Sequence, residues 1–141
     1  MGGNNINNVV SMTMTGGGNL DMNWGTAKEH AEVSNTASSS SNAVTLDLTT
    51  GNHFVTTLTE NISTTTFSNP PGTGKFVSFS WEIVQDAGAS GYTVAFPASV
   101  DWAGGSAPTL TATASAVDIF TFVTRDGGTT WYGGIFGQDF S

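Results

Sequence analysis

Strict alternation of apolar and polar residues is the feature that most constrains this chain. Val77, Phe79, Trp81 and Ile83 alternate with serine and glutamate residues, and residues 44–48 repeat the pattern with leucine and valine against threonine and aspartate. A period of two places successive side chains on opposite faces of a β-strand. The pattern therefore predicts strands that each turn one face toward a core.

Further strands are predicted at 54–59, 62–67, 92–96, 109–114 and 130–136, separated by turns rich in glycine, proline and asparagine. The run from Asp126 to Gly128 predicts a hairpin turn, because glycine readily takes the positive φ that such turns require. About eight strands with no helix between them are typical of an all-β domain. We expect an antiparallel β-sandwich over residues 43–141, with the jelly roll as one form of it.

Residues 117–123 are apolar on both faces of the predicted strand. Ile119 and Val123 fall on one face, and Phe120 and Phe122 fall on the other, with Val117 at the start. Such a pattern favours a central strand that is covered on both sides. The second cover would be another sheet or a neighbouring subunit, so these residues are predicted to form core or subunit interface.

Residues 1–42 are predicted to be an attachment arm and linker that cannot fold alone, because their apolar residues are few. Within this stretch, Thr26 and Glu29 fit a capping box and favour one short helix over residues 26–34. The residues that could anchor the arm to a neighbour are Ile6, Val9, Val10, Met12, Met14, Leu20 and Trp24.

Composition excludes several classes of partner. The net charge is −8, and the chain has only three lysine and arginine residues. Three cations cannot form the basic surface that binds phosphate backbones, so no nucleic-acid partner is expected. No apolar run approaches the roughly 20 residues of a membrane-spanning helix, and the N-terminal residues lack the pattern of a secretory signal. Membrane insertion is therefore not expected.

The residues that could carry chemistry do not form a known motif. His30 and His53 lack a second ligand at metal-site spacing, no serine lies in a Gly-x-Ser-x-Gly turn, and the chain has no cysteine. The acids considered for glycan hydrolysis are expected in solvated positions: Glu82, Asp86, Asp101, Asp118 and Asp126. We predict no catalytic residue, metal or cofactor.

Two aromatic residues beside glycine-rich turns, Trp102 and Tyr132, are candidates for surface recognition. Exposed aromatic rings there could stack on sugar rings. Alternatively, they close the ends of the core, where a ring buries its body and leaves its polar atom in water. The second interpretation is favoured for both residues, and for Trp131 beside them.

Six segments carry a family resemblance when taken together: AVTLDL (43–48), FSNPP (67–71), FPASVDW (96–102), APTL (107–110), DIFTF (118–122) and DGGTTWYG (126–133). In order and spacing they resemble the C-terminal β module of tailed-bacteriophage tail fibres and small fibre-like virion proteins. The resemblance implies a non-enzymatic virion component, a homotrimer or part of a larger symmetric array, assembled in the host cytoplasm.

On this interpretation the arm binds other virion proteins and the β domain faces outward. The loops at 69–75, 86–91 and 102–108 would then contact the host, through a surface glycan or another receptor, because binding residues concentrate on loops held by a scaffold. Two alternatives stay open. One is a capsid decoration protein that clamps neighbouring capsomers, and the other is a glycan-binding or glycan-degrading virion protein.

Overall fold

The computed structural model describes Thr26 and residues 30–141, and every regular element in this part is a β-strand. The eight strands are β1 (Ser34–Thr36), β2 (Ala43–Asp47), β3 (His53–Thr57), β4 (Thr64–Ser68), β5 (Val77–Val84), β6 (Val100–Trp102), β7 (Val117–Thr124) and β8 (Trp131–Phe140). The all-β prediction is confirmed. The proposed arm anchors, residues 6 to 24, lie outside the described residues.

Six strands form one sheet in the order β1-β3-β5-β7-β8-β6, and β2 and β4 form a second. β5–β7 and β7–β8 are antiparallel, whereas β1–β3, β3–β5, β6–β8 and β2–β4 are parallel. The larger sheet is therefore mixed, and the prediction of antiparallel pairing is wrong for most of the strands.

The parallel pairs arise because the chain alternates between the two sheets. β1, β3 and β5 enter the larger sheet in turn, and β2 and β4 enter the smaller one between them. Each time the chain re-enters a sheet, it runs in the same direction as the strand before it in that sheet. Ser34 of β1 therefore pairs with His53 of β3, and Ala43 of β2 pairs with Thr64 of β4. Strands β1 to β5 thus alternate between the two sheets, and within each sheet they pair in parallel. The antiparallel hairpin β7–β8 comes later in the chain.

The helix expected over residues 26–34 is not found in the described part of that stretch. Residues 30–33 have no regular structure, and β1 begins at Ser34. The backbone oxygen of Val33 accepts hydrogen bonds from the amides of Asn52 and His53, each at 3.2 Å. Pairing with β3 therefore outweighs a helix that is too short to be stable alone.

Residues of both sheets contribute to one hydrophobic core. Its largest buried side chains from the larger sheet are Phe54 of β3, Phe79 and Trp81 of β5, Phe120 and Phe122 of β7, and Trp131 of β8. From β4, the ring of Phe67 meets that of Phe79 at 4.9 Å and that of Trp131 at 5.4 Å, both edge to face. Such aromatic pairs contribute about 0.5–1.5 kcal/mol each beyond their buried area.

Two predicted strands do not form. Residues 92–96 make only an isolated bridge at Val94, although Phe96 still packs against Trp81 and Phe120. Residues 109–114 are irregular, since the amide of Thr111 donates to the carboxylate of Asp118 at 2.7 Å rather than to a strand. The sequence analysis did not predict the short strands β1 and β6.

Candidate assembly interface

Strand β8, which lies between β7 and β6 in the larger sheet, carries most of the exposed large apolar side chains of the described residues. Tyr132 is 49% exposed, Ile135 53%, Phe136 70% and Phe140 45%, and all four lie in β8. A buried aromatic side chain removes about 150–250 Å² from water, so the three rings together leave roughly 300 Å² accessible. The rings are spread along the strand, since Tyr132 pairs with Val123 and Phe140 with Val117, near opposite ends of β7. Exposed apolar surface of this kind on a soluble protein often marks an interaction site.

The neighbouring strand β7 extends this apolar surface. Phe120 and Phe122 point into the core and are fully buried, whereas Val117, Ile119 and Val123 lie on the opposite face and are half-buried. The register pairs Val123 with Tyr132 and Val117 with Phe140. We call the outward-facing residues Val117, Ile119, Val123, Tyr132 and Phe140, together with the exposed bulge residue Phe136, the outer patch.

Two irregularities interrupt the pairing of β8 with β7. Phe120 pairs with Ile135 and Ile119 pairs with Gly137, which leaves Phe136 as an extra residue. A second irregularity follows before Phe140, where Asp139 has a φ of +60°. Bulges of this kind bend a strand and change the direction of its side chains. Phe136 therefore stays outside the regular pairing and highly exposed.

Asp118 fixes the end of β8. Its carboxylate accepts hydrogen bonds from Thr111 N at 2.7 Å, Gln138 Nε2 at 3.0 Å and Asp139 N at 3.0 Å. Burial opposes ionisation of Asp118, but these hydrogen bonds outweigh burial and hold its pKa below the usual value. The expectation that Asp118 is solvated is wrong, since the residue is buried. Its burial was not visible in the sequence because the donors Gln138 and Asp139 lie far along the chain.

Much of β8 has a strand neighbour on one side only within the described part of the chain. β6 pairs only with Trp131, Tyr132 and Gly133, so residues 134–140 have a strand partner on the β7 side alone. The segment that follows β6 covers part of this edge, because Gln138 Nε2 donates to Thr109 O at 2.8 Å and Pro108 lines a hollow with Gly134 and Ile135. β8 has neither lysine nor proline, and Asp139 is its one charged residue. The exposed apolar side chains of β8 are therefore the part suited to contact another chain.

The two aromatic candidates for surface recognition have different surroundings. The ring of Trp102 lies 4.9 Å from that of Phe96, 6.0 Å from that of Phe120 and 5.8 Å from that of Phe122. Tyr132 instead lies on the outer face, in register with Val123. The structure therefore packs Trp102 against the core and leaves Tyr132 in the outer patch.

A serine, a histidine and a glutamate meet on the larger sheet, which the sequence analysis missed. Parallel pairing of β3 with β5 places Ser80 Oγ 2.7 Å from His53 Nδ1, and Glu82 Oε2 lies 3.6 Å from His53 Nε2. These are the residue types of a hydrolytic triad. However, the amide of Ser80 donates to Asn52 O, and a central strand uses its other amides in the sheet. The amides of Asn52, His53 and Ser80 are therefore all engaged in backbone hydrogen bonds.

Within Thr26 and residues 30–141, no group of three or more histidine, aspartate or glutamate side chains is placed to hold a metal ion. In those residues there is also no helix with the length and apolar character to cross a bilayer.

Comparison of the chain with protein-family models, with curated proteins and with solved structures finds no match. The outer patch is therefore interpreted from its own geometry.

Proposed function

We propose that this chain is a non-enzymatic structural subunit of a tailed-bacteriophage virion, a tail-fibre or fibre-like module that assembles as a homotrimer. The observation that carries the proposal is the outer patch. A sheet that leaves three aromatic rings partly exposed to water gains free energy when another copy covers them.

Self-association is the simplest way to cover the outer patch. Most oligomers of identical chains have closed symmetry, which buries the same surface on every copy. The charge of −8 on each chain opposes association, but salt at physiological concentration screens exposed charges beyond about 8 Å. Because β8 contributes few charges, the apolar contact outweighs this repulsion at the patch.

The fold is consistent with a mechanical role. Six of the thirteen buried core residues are aromatic, and a closely packed core resists deformation. The resemblance of residues 43–141 to the β module of phage fibres supplies the virion context. In the fibre, the arm would bind other virion proteins, and the loops would face the host.

Purified particles of the phage that encodes the chain provide the test. Antibody-gold labelling should place the protein on the tail. A chain with Tyr132→Ser and Phe136→Ser should be missing from particles, because its patch no longer associates. Phe76→Ser removes an equally exposed ring outside the patch and should be incorporated normally.

Gold spread evenly over the head would instead identify a capsid decoration protein. Absence of the unmodified protein from particles, or equal incorporation of both variants, would contradict the proposal.

A further inference from the structure

A hollow of about 330 Å³ lies between two segments that belong to no strand. Residues 91–94 line one side of it, and Pro108, Thr109, Leu110 and Ala112 line the other. More of this lining is apolar than polar. Both segments run without a turn or bend, over residues 92–97 and 107–112. We call this hollow the open groove.

On one side of the open groove, the backbone of Val94 points away from its neighbour Ile62. The amide of Ile62 donates to Thr93 O, and the amide of Ala95 donates to Ile62 O, each at 2.8 Å. This is the pattern of a parallel bridge, in which the N–H and C=O of the residue between the two bonds face the opposite side. Within residues 30–141, neither group of Val94 has a hydrogen-bond partner.

Leu110 repeats this arrangement on the other side of the open groove. Gln138 Nε2 donates to Thr109 O at 2.8 Å, and Thr111 N donates to Asp118 Oδ2 at 2.7 Å. Because Thr109 O and Thr111 N both turn toward β7 and β8, the N–H and C=O of Leu110 turn the other way in this unbent segment. They too have no hydrogen-bond partner within the described range 30–141. Each side of the groove thus offers one unpaired residue, as a site for an additional strand requires.

Residues 10–14, which lie outside the described residues, have a sequence that suits the open groove. Val10, Met12 and Met14 alternate with serine and threonine, so in an extended conformation the three apolar side chains share one face. Methionine fits an irregular apolar surface because its side chain is unbranched and flexible. None of the five residues is charged, so their entry into the groove would bury no charge.

We infer that residues 10–14 of one copy add a strand to the open groove of a neighbouring copy. The backbone of the segment would pair with Val94 and Leu110, as in other cases of strand addition, and its apolar face would pack on the lining. Residues 15–30 span at most roughly 55 Å when extended, which is enough to reach an adjacent copy. In a closed trimer each arm fills the next groove, so every groove is occupied.

The inference rests on the proposed trimer. A single short strand binds weakly by itself, and assembly through the outer patch raises the effective concentration of the arm to the millimolar range. Arm exchange therefore follows assembly and does not replace the outer patch.

The chain has no cysteine, so introduced cysteines can test the contact in the full-length protein. Met12→Cys and Ala112→Cys are placed in separate chains, which are produced together, purified through a tag on one of them and oxidised. Mass spectrometry then counts the disulfide-linked dimers that contain one chain of each kind. Because a disulfide forms only between side chains in close contact, these mixed dimers should be roughly fivefold more abundant than in two controls. The controls are Ser11→Cys with Ala112→Cys, and Met12→Cys with Ala98→Cys, which is exposed outside the groove.

Amide hydrogen exchange measures the same contact without cysteines. Two double variants carry the same added charge on opposite faces of the segment, Met12→Asp with Met14→Asp and Ser11→Asp with Thr13→Asp. The amide of Val94 should exchange at least about tenfold faster in the methionine variant, because its strand partner is lost. The amide of Ile62, which donates to Thr93 O, should exchange equally in both. Both variants should still sediment as trimers, since the outer patch is unchanged.

A trimer with no excess of mixed dimers and no difference at Val94 would overturn the inference and leave the proposed function intact. A monomeric unmodified protein would refute both. A disulfide that closes only within single chains carrying both Met12→Cys and Ala112→Cys would overturn exchange between copies. Equal protection of Val94 in the two double variants would indicate another occupant of the open groove and would also overturn the inference.

Discussion

Asp118 provides the sharpest test of how the outer patch is held. Its carboxylate receives three hydrogen bonds, from Thr111, Gln138 and Asp139. Asp118→Asn keeps the shape but turns one acceptor oxygen into a donor, so at least one of the three donors loses its partner. A hydrogen bond to a charged group contributes about 1.5–3 kcal/mol. We expect the free energy of unfolding to fall by about 2–3 kcal/mol at pH 7.

This loss should depend on pH in a defined direction. The pKa of Asp118 is lower in the folded chain than in the unfolded chain, so its ionised form stabilises the fold. The contribution is complete above the unfolded pKa of about 3.9 and disappears as the pH falls through the folded value. The difference between Asp118→Asn and the unmodified protein should therefore be constant from pH 5 to 7, to within about 0.5 kcal/mol, and shrink below about pH 4.

Urea unfolding followed by tryptophan fluorescence measures this difference, since Trp81 and Trp131 are buried. Asp101→Asn is the matched control, because Asp101 is an exposed carboxylate on β6, and its effect should stay within about 0.5 kcal/mol. Amide hydrogen exchange at Asp139 and Phe140 should also become faster in Asp118→Asn. A difference below about 0.5 kcal/mol, or one that persists unchanged at pH 3, would refute the assigned role.

Two other predictions follow from the sheet. In Gly133→Ala the new Cβ would lie 2.8 Å from Trp102 Cζ3 and 2.9 Å from Val100 Cγ1, so thermal melting should show that the free energy of unfolding falls by about 1–3 kcal/mol. The control is Gly72→Ala, whose new Cβ meets no atom within 4 Å. An equal fall in the control would contradict the packing argument. Ser80 should not react with a fluorophosphonate probe or support ester hydrolysis, because the amides of Asn52, His53 and Ser80 are used in backbone hydrogen bonds. Turnover that Ser80→Ala abolishes would contradict the non-enzymatic proposal.

Local patterns in the sequence predict much of the fold. Strand β5 follows directly from the alternation of Val77, Phe79, Trp81 and Ile83, and the hairpin between β7 and β8 follows from its two glycines, which have φ of +72° and +83°. These features depend on neighbouring residues alone. By contrast, β1 (Ser34–Thr36) is a short polar strand that exists because β3 pairs with it.

The pairing between distant segments could not be obtained from the sequence. Alternation shows which residues face a core, but parallel and antiparallel neighbours require the same alternation. The meeting of His53 with Ser80 and the burial of Asp118 both depend on register and on donors far along the chain. For the candidate interface, the sequence indicated β7 and Tyr132, but the bulge that exposes Phe136 had no local signal.

The central claim is that the outer patch holds identical chains together, and sedimentation equilibrium tests it most directly. At micromolar concentration and physiological salt, the full-length protein should have the mass of three chains, and the Tyr132→Ser, Phe136→Ser variant should have the mass of one. Phe76→Ser should remain a trimer. A monomeric unmodified protein, or a double variant that associates as strongly as Phe76→Ser, would contradict the account.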